Sequence, residues 1–181
     1  MERAEIVQRI REGIQGEGEN VHERYNVLEA TRLLMIELME EIEGEREEIL
    51  NGFEEDERVK ELDRIAYLVI ERGMKLIEES EYGEGRIRIA NHIKEAYQVL
   101  GRRHFEEFLI AIEWNYPMDM KFYEIRREVL SDWVKELEDL EYGRLKILSI
   151  SAPPRTGKTT CRREIFIMVY VKTPAGKVVF L

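Results

Sequence analysis

A mainly α fold, ending in a small and incomplete α/β unit, is what three observations predict. Apolar residues recur at helical spacing from about residue 20 to residue 140. Charged residues make up 36% of the chain with aliphatic residues interspersed among them, the composition of amphipathic helices in water rather than of disorder. At residue 145 the helical pattern gives way to an apolar run that breaks into a proline and glycine turn, which reads as strand, loop and the start of a helix.

Taken in order, residues 4–11 can form a short helix with Ile6, Val7 and Ile10 on one side, ended by Gly13, Gly16 and Gly18 in an acidic loop. Asn20 offers an N-cap for a long helix carrying Val21, Tyr25, Leu28, Arg32, Leu34, Leu38 and Ile42, which Gly44 interrupts without having to break. Residues 54–79 repeat the theme with Val59, Leu62, Ile65, Ala66, Val69 and Ile77. Each helix has a stripe it cannot leave in water, so the two are expected to form an antiparallel hairpin joined near Asn51 and Gly52.

The clearest internal boundary lies at Tyr82 to Gly85. Beyond it residues 87–100 read as helix, and Phe105, Phe108, Leu109 and Ile112 follow the i, i+3, i+4, i+7 rule. The run from Phe108 to Glu113 imitates the acid-tipped strand that carries Mg²⁺ in P-loop ATPases, but its helical period and its place before the loop argue for helix. Asn115, Tyr116 and Pro117 break that helix. Residues 122–140 form the next, with Ile125, Val129, Trp133, Leu137 and Leu140 along it.

The turn at residues 152–160 carries the chemistry. Successive N–H groups in a tight loop make a concavity for anionic oxygens, and the positive end of the following helix adds to the field. Gly157 lets the backbone approach a phosphate, Lys158 would reach the β and γ phosphates of ATP, and the Thr159 hydroxyl would hold Mg²⁺. Ala152 stands where the usual pattern has its first glycine. Ile147, Leu148 and Ile150 supply the strand before the loop, and Ile165, Phe166, Met168 and Val169 the helix after it. A second apolar strand over residues 177–181 follows Pro174 and Gly176, and the chain then stops, as a truncated unit would. After Thr160 the only acid is Glu164, so the acidic strand that completes Mg²⁺ coordination is missing. Nucleotide binding without hydrolysis is the expectation for this chain alone.

The loop Ala152, Pro153, Pro154, Arg155, Thr156, Gly157, Lys158, Thr159 resembles the variant phosphate loop of phage terminase large subunits, the ATPases that drive DNA into capsids. Residues 101–117 and 121–130 resemble the lead-in of one such group, so the likeness covers roughly the last 80 residues, part of one domain. The resemblance implies that residues 153–160, ending at Thr160, bind nucleotide, and that Arg155 acts catalytically on the γ phosphate. It implies phage DNA, a small terminase subunit and a portal as partners. It divides the chain into an acidic helical region, 1–82, and the N-terminal part of an ATPase domain, 86–181. Arg126 stands where the family often has an adenine-reading glutamine. Nothing corresponds to the clustered carboxylates of the family's nuclease domain.

Two other readings stand beside this one: a helical protein-interaction module with a vestigial P-loop, and another P-loop enzyme similar to terminases only in this loop. The formal charge of −10 excludes a surface basic all over, so any grip on DNA must be local. No apolar run approaches the ~18 residues of a membrane span, and acids occupy the N-terminus where a secretory signal is apolar, so a cytoplasmic protein is expected, in a bacterial host if phage-encoded. Cys161 is the single cysteine and can form no internal disulfide. His22, His92 and His104 lack metal-ligand spacing and are expected on helix surfaces.

Overall fold

The computed structural model describes residues 20–45, 57–80 and 83–142, with Gln8 and Arg144. Among them every regular element is helical: α1 (Val21–Glu45), α2 (Glu57–Glu79), α3 (Glu84–Leu100), α4 (Phe105–Glu113), single 3₁₀ turns at Met118–Met120 and Glu124–Arg126, and α5 (Arg127–Glu141). The expected strands near 145–150 and 177–181, the phosphate loop and its helix lie outside the described residues. So does the short helix expected at 4–11, apart from the helical Gln8. The chain forms two compact units, residues 1–99 and 100–181.

In the first unit α1 begins as its sequence predicts. The Asn20 side-chain oxygen accepts the Glu23 N–H at 3.0 Å, satisfying one of the donors that a helix N-terminus leaves open. Gly44 does not end the helix, which runs to Glu45.

The polar contacts between helices give their directions. Arg24, at the start of α1, donates to both oxygens of Glu79 at the end of α2, at 2.6 Å each. Farther along, Arg72 of α2 donates to Thr31 of α1 at 2.8 Å, and the Thr31 hydroxyl donates in turn to the Val27 carbonyl at 2.6 Å. Advancing along α1 therefore means going back along α2: the hairpin is antiparallel. Against α3 the numbering rises together, since Glu29 meets His92 and Arg32 meets Glu95. Helices α1 and α3 are thus parallel.

Five of the residues expected to face inward from α2, Val59, Leu62, Ile65, Ala66 and Val69, are buried. At the C-terminal end Leu76 turns inward and Ile77 is half-buried. Leu76 lies seven residues from Val69 and falls on the same face, whereas Ile77 is displaced to its shoulder. Helix α1 buries Val27 and Ala30 as well as the expected Leu28, Leu34 and Ile42, because α2 and α3 press on it from two directions. The expected Val21 is instead 45% exposed, and Tyr25 and Leu38 are half-buried. Gly73 of α2 is buried where α3 comes closest: a Cβ there would stand 2.6 Å from Ile93 Cγ1 and 2.9 Å from Ile93 Cδ1.

In the second unit α4 and α5 bury Phe105, Leu109, Leu130, Val134 and Leu137 around Tyr123, with Phe108 and Trp133 packed at the edge. Helix α4 ends at Glu113, before the predicted Asn115–Pro117 break. The face predicted for α5 holds at Leu137, which is buried, and at Trp133, which packs against the core. It is corrected at its start: Ile125 is 49% and Val129 69% exposed, and the inward stripe runs from Tyr123 through Leu130 and Val134 to Leu137. Both stripes have helical spacing, and a contact from outside the helix chooses between them.

Candidate functional site

That contact is Glu113. Its carboxylate is 6% exposed and accepts the backbone N–H groups of Phe122 and Tyr123 on one oxygen, and those of Tyr123 and Glu124 on the other, at 2.9 to 3.3 Å. The last residue of α4 thus caps the 3₁₀ turn that leads into α5, where an anion is favoured by the unpaired amides. The Tyr123 backbone is held so that its ring enters the core. The sequence placed Glu113 on a helix rather than on an Mg²⁺-binding strand, and its lone pairs are spent on backbone amides.

A second carboxylate works the other way. Glu138 of α5 accepts the N–H of Phe105, the first residue of α4, at 2.9 Å, and lies 3.7 Å from His104 Nδ1. His104, the N-cap residue, makes no side-chain cap of its own. Burial pushes the Glu138 carboxyl upward, but the neighbouring His104 and the hydrogen bond from the Phe105 amide outweigh it and hold the group below its ordinary 4.5. Its contribution to stability is therefore present above pH 4.5 and is lost as the pH falls through the lowered native value. Acid titration followed by near-ultraviolet dichroism is expected to show the loss, and Glu138→Gln to shift the wild-type curve to higher pH.

The Tyr123 hydroxyl is buried against the ion pair of Glu106 and Arg127, 2.5 Å apart, without a hydrogen bond of ordinary geometry. Burial, helped by the Glu106 charge, raises its pKa and keeps it protonated. On the exposed side of the same turn the Arg126 guanidinium stacks 4.9 Å over the Phe122 ring and donates to the Phe122 carbonyl at 3.1 Å. The position that the resemblance gives to an adenine-reading glutamine is therefore occupied by a cation lying on the neighbouring aromatic.

The predicted nucleotide residues Pro153, Pro154, Arg155, Thr156, Gly157, Lys158, Thr159 and Thr160 all lie outside the described residues. The described elements that precede them in sequence are the capped turn and α5.

The first unit holds a cluster the sequence did not announce. His92 is 9% exposed, contrary to the surface position expected of it. Its Nε2 lies 2.8 Å from Glu29 Oε2, without the alignment of a hydrogen bond, and its ring is tilted against Tyr25 at 6.3 Å. Arg32 donates to Glu95 at 2.5 and 3.3 Å and to Glu29 at 3.2 Å. Burial, reinforced by Arg32 and opposed by Glu29 and Glu95, holds the imidazole below its ordinary 6.5, so it is neutral at pH 7. The signal was present: Ile89, His92, Ile93 and Ala96 share one helical face.

No group of three or more His, Cys, Asp or Glu residues that could hold a metal occurs among the described residues. No helix among them is long and apolar enough to cross a membrane. Comparison of the chain with protein families, with curated proteins and with solved structures finds no match.

Proposed function

We propose that the chain is the ATP-binding part of a DNA-packaging motor of the terminase large subunit kind, phage or prophage encoded and working in the host cytoplasm. The observation that carries the reading is the passage at residues 145–160 from apolar run to Pro153, Pro154, Arg155, Thr156, Gly157, Lys158, Thr159 and Thr160, with apolar residues at helical spacing after it. In this reading Gly157 and the neighbouring amides cradle the phosphates, Lys158 neutralises the β and γ oxygens, Thr159 ligates Mg²⁺, and Arg155 bears on the γ phosphate. After Thr160 the one acid in this sequence is Glu164, so the proposal is confined to nucleotide binding. DNA, a small subunit and a portal are the partners proposed for the complete motor.

Lys158→Ala is expected to weaken ATP binding at least about 100-fold, since it removes the one ammonium in the cradle. Titration calorimetry with ATP and Mg²⁺ reads this directly. Affinity equal to that of the wild type would remove the proposal.

The alternative, a helical interaction module with a vestigial loop, draws on the exposure of Met118 and Met120, at 60% and 66%, in the turn after α4. Under that reading ATP and Mg²⁺ leave the melting temperature unchanged.

A further inference from the structure

We propose that the outward face of α5 is the seat of a later segment of this same chain, residues 161–172, laid antiparallel along it. The face consists of two neighbouring rows of side chains, each at i, i+4 spacing. Ile125, Val129 and the half-buried Trp133 make an apolar row, and the exposed Glu128, Asp132 and Glu136 an acidic row beside it, with Lys135 at the edge. Among the described residues none of these three acids has an ion-pair partner, whereas Glu106, Glu124 and Asp139 of the same unit are paired. An apolar row in water gains from being covered, and the acids beside it favour a cationic cover.

The sequence supplies that cover. Residues 144–181 carry eight Lys and Arg against one acid, and the 143 residues before them twenty against thirty-seven. Within the cationic stretch Arg162 and Arg163 stand directly ahead of Ile165, Phe166, Met168 and Val169, which recur at helical spacing. Laid antiparallel to α5, such a helix brings its two arginines to Asp132 and Glu136 and its apolar residues to Val129 and Ile125. The twenty residues from Glu141 to Cys161 are enough to carry the chain back along α5, and both segments belong to the compact unit of residues 100–181. A second copy is the poorer occupant, because a two-fold contact sets the acidic row against itself. The inference stands whether or not residues 152–160 bind nucleotide.

Limited trypsin cleavage of the full chain without nucleotide tests it. Cutting after Arg162 and Arg163 follows the population in which the segment is undocked. Val129→Asp is expected to raise that rate about tenfold, since it puts a carboxylate into the apolar row. The substitution falls on the third residue of α5, where an acid suits the helix N-terminus, so α5 is expected to keep its helical dichroism. Asp132→Asn combined with Glu136→Gln alters only exposed side chains and is expected to raise the rate about threefold. Unchanged cleavage in either variant overturns the proposal, as does wild-type cleavage as fast as that of a synthetic peptide of residues 157–168. Protection that grows with protein concentration also overturns it, giving the face to a second copy.

Discussion

Glu113→Ala is expected to destabilise the second unit by about 3 kcal/mol. The substitution strips the acceptor from three consecutive backbone N–H groups, those of Phe122, Tyr123 and Glu124, at a position that is 6% exposed. An amide left without a partner in such surroundings costs about 1–3 kcal/mol, and partial hydration at the more open Phe122 and Glu124 ends brings the total below the simple sum. Glu113→Gln keeps one carbonyl oxygen and is expected to cost about half as much. A second consequence separates capping from mere burial: once Tyr123 is no longer pinned inward, the alternative stripe of Ile125 and Val129 can compete for the core. Limited proteolysis between residues 114 and 126 is therefore expected to accelerate along with the loss of stability. A denaturant midpoint for Glu113→Ala equal to that of the wild type would contradict this account of the turn.

Gly73→Val is expected to cost the first unit about 3 kcal/mol, although valine forms helix better than glycine. An interior glycine gives up about 1 kcal/mol relative to alanine, so its presence inside α2 needs a steric reason. Ile93 is that reason: its Cγ1 occupies a point 2.6 Å from where a Cβ would stand, and Ile93 is itself fully buried. For Gly73→Ala the gain of about 1 kcal/mol in propensity opposes an overpacking cost of about 1–3 kcal/mol, for a small net loss. Valine adds two further methyl groups against the same neighbour. Chemical denaturation checks both, and Ile93→Ala offers a cycle: the added side chain should be better tolerated once the isoleucine is shortened. An alanine variant more stable than the wild type would mean that α3 approaches less closely than the structure has it.

How far the sequence led can be judged at particular residues. Asn20 and the stripe from Val59 to Val69 are local signals, a cap three residues from its donor and a helical period, and both are realised. The antiparallel hairpin follows from pairing two such stripes, and Arg24 with Glu79 and Thr31 with Arg72 show it. What local pattern could not decide was phase. Residues 122–140 contain two apolar stripes at helical spacing that converge on Leu137, and the start of the inward one is set by Glu113, on another helix and nine or more residues away from the amides it holds. His92 was misplaced for a related reason. A histidine on an apolar face reads as polar until the face is known to be closed by a neighbour, here α1. The candidate nucleotide site is legible as a pattern of residue types over 152–160, because a phosphate cradle is made by consecutive residues. Its geometry lies outside the described residues.

The central claim is that residues 152–160 grip a nucleotide's phosphates, and a melting experiment tests it most directly. At ATP and Mg²⁺ about 100-fold above the dissociation constant, binding to the folded state alone adds about 2.7 kcal/mol, roughly 5–10 °C for a chain of this size if it unfolds as one. A shift of that order, abolished by Lys158→Ala, is the result expected. A melting temperature that ATP and Mg²⁺ leave unchanged at millimolar concentration would contradict the claim.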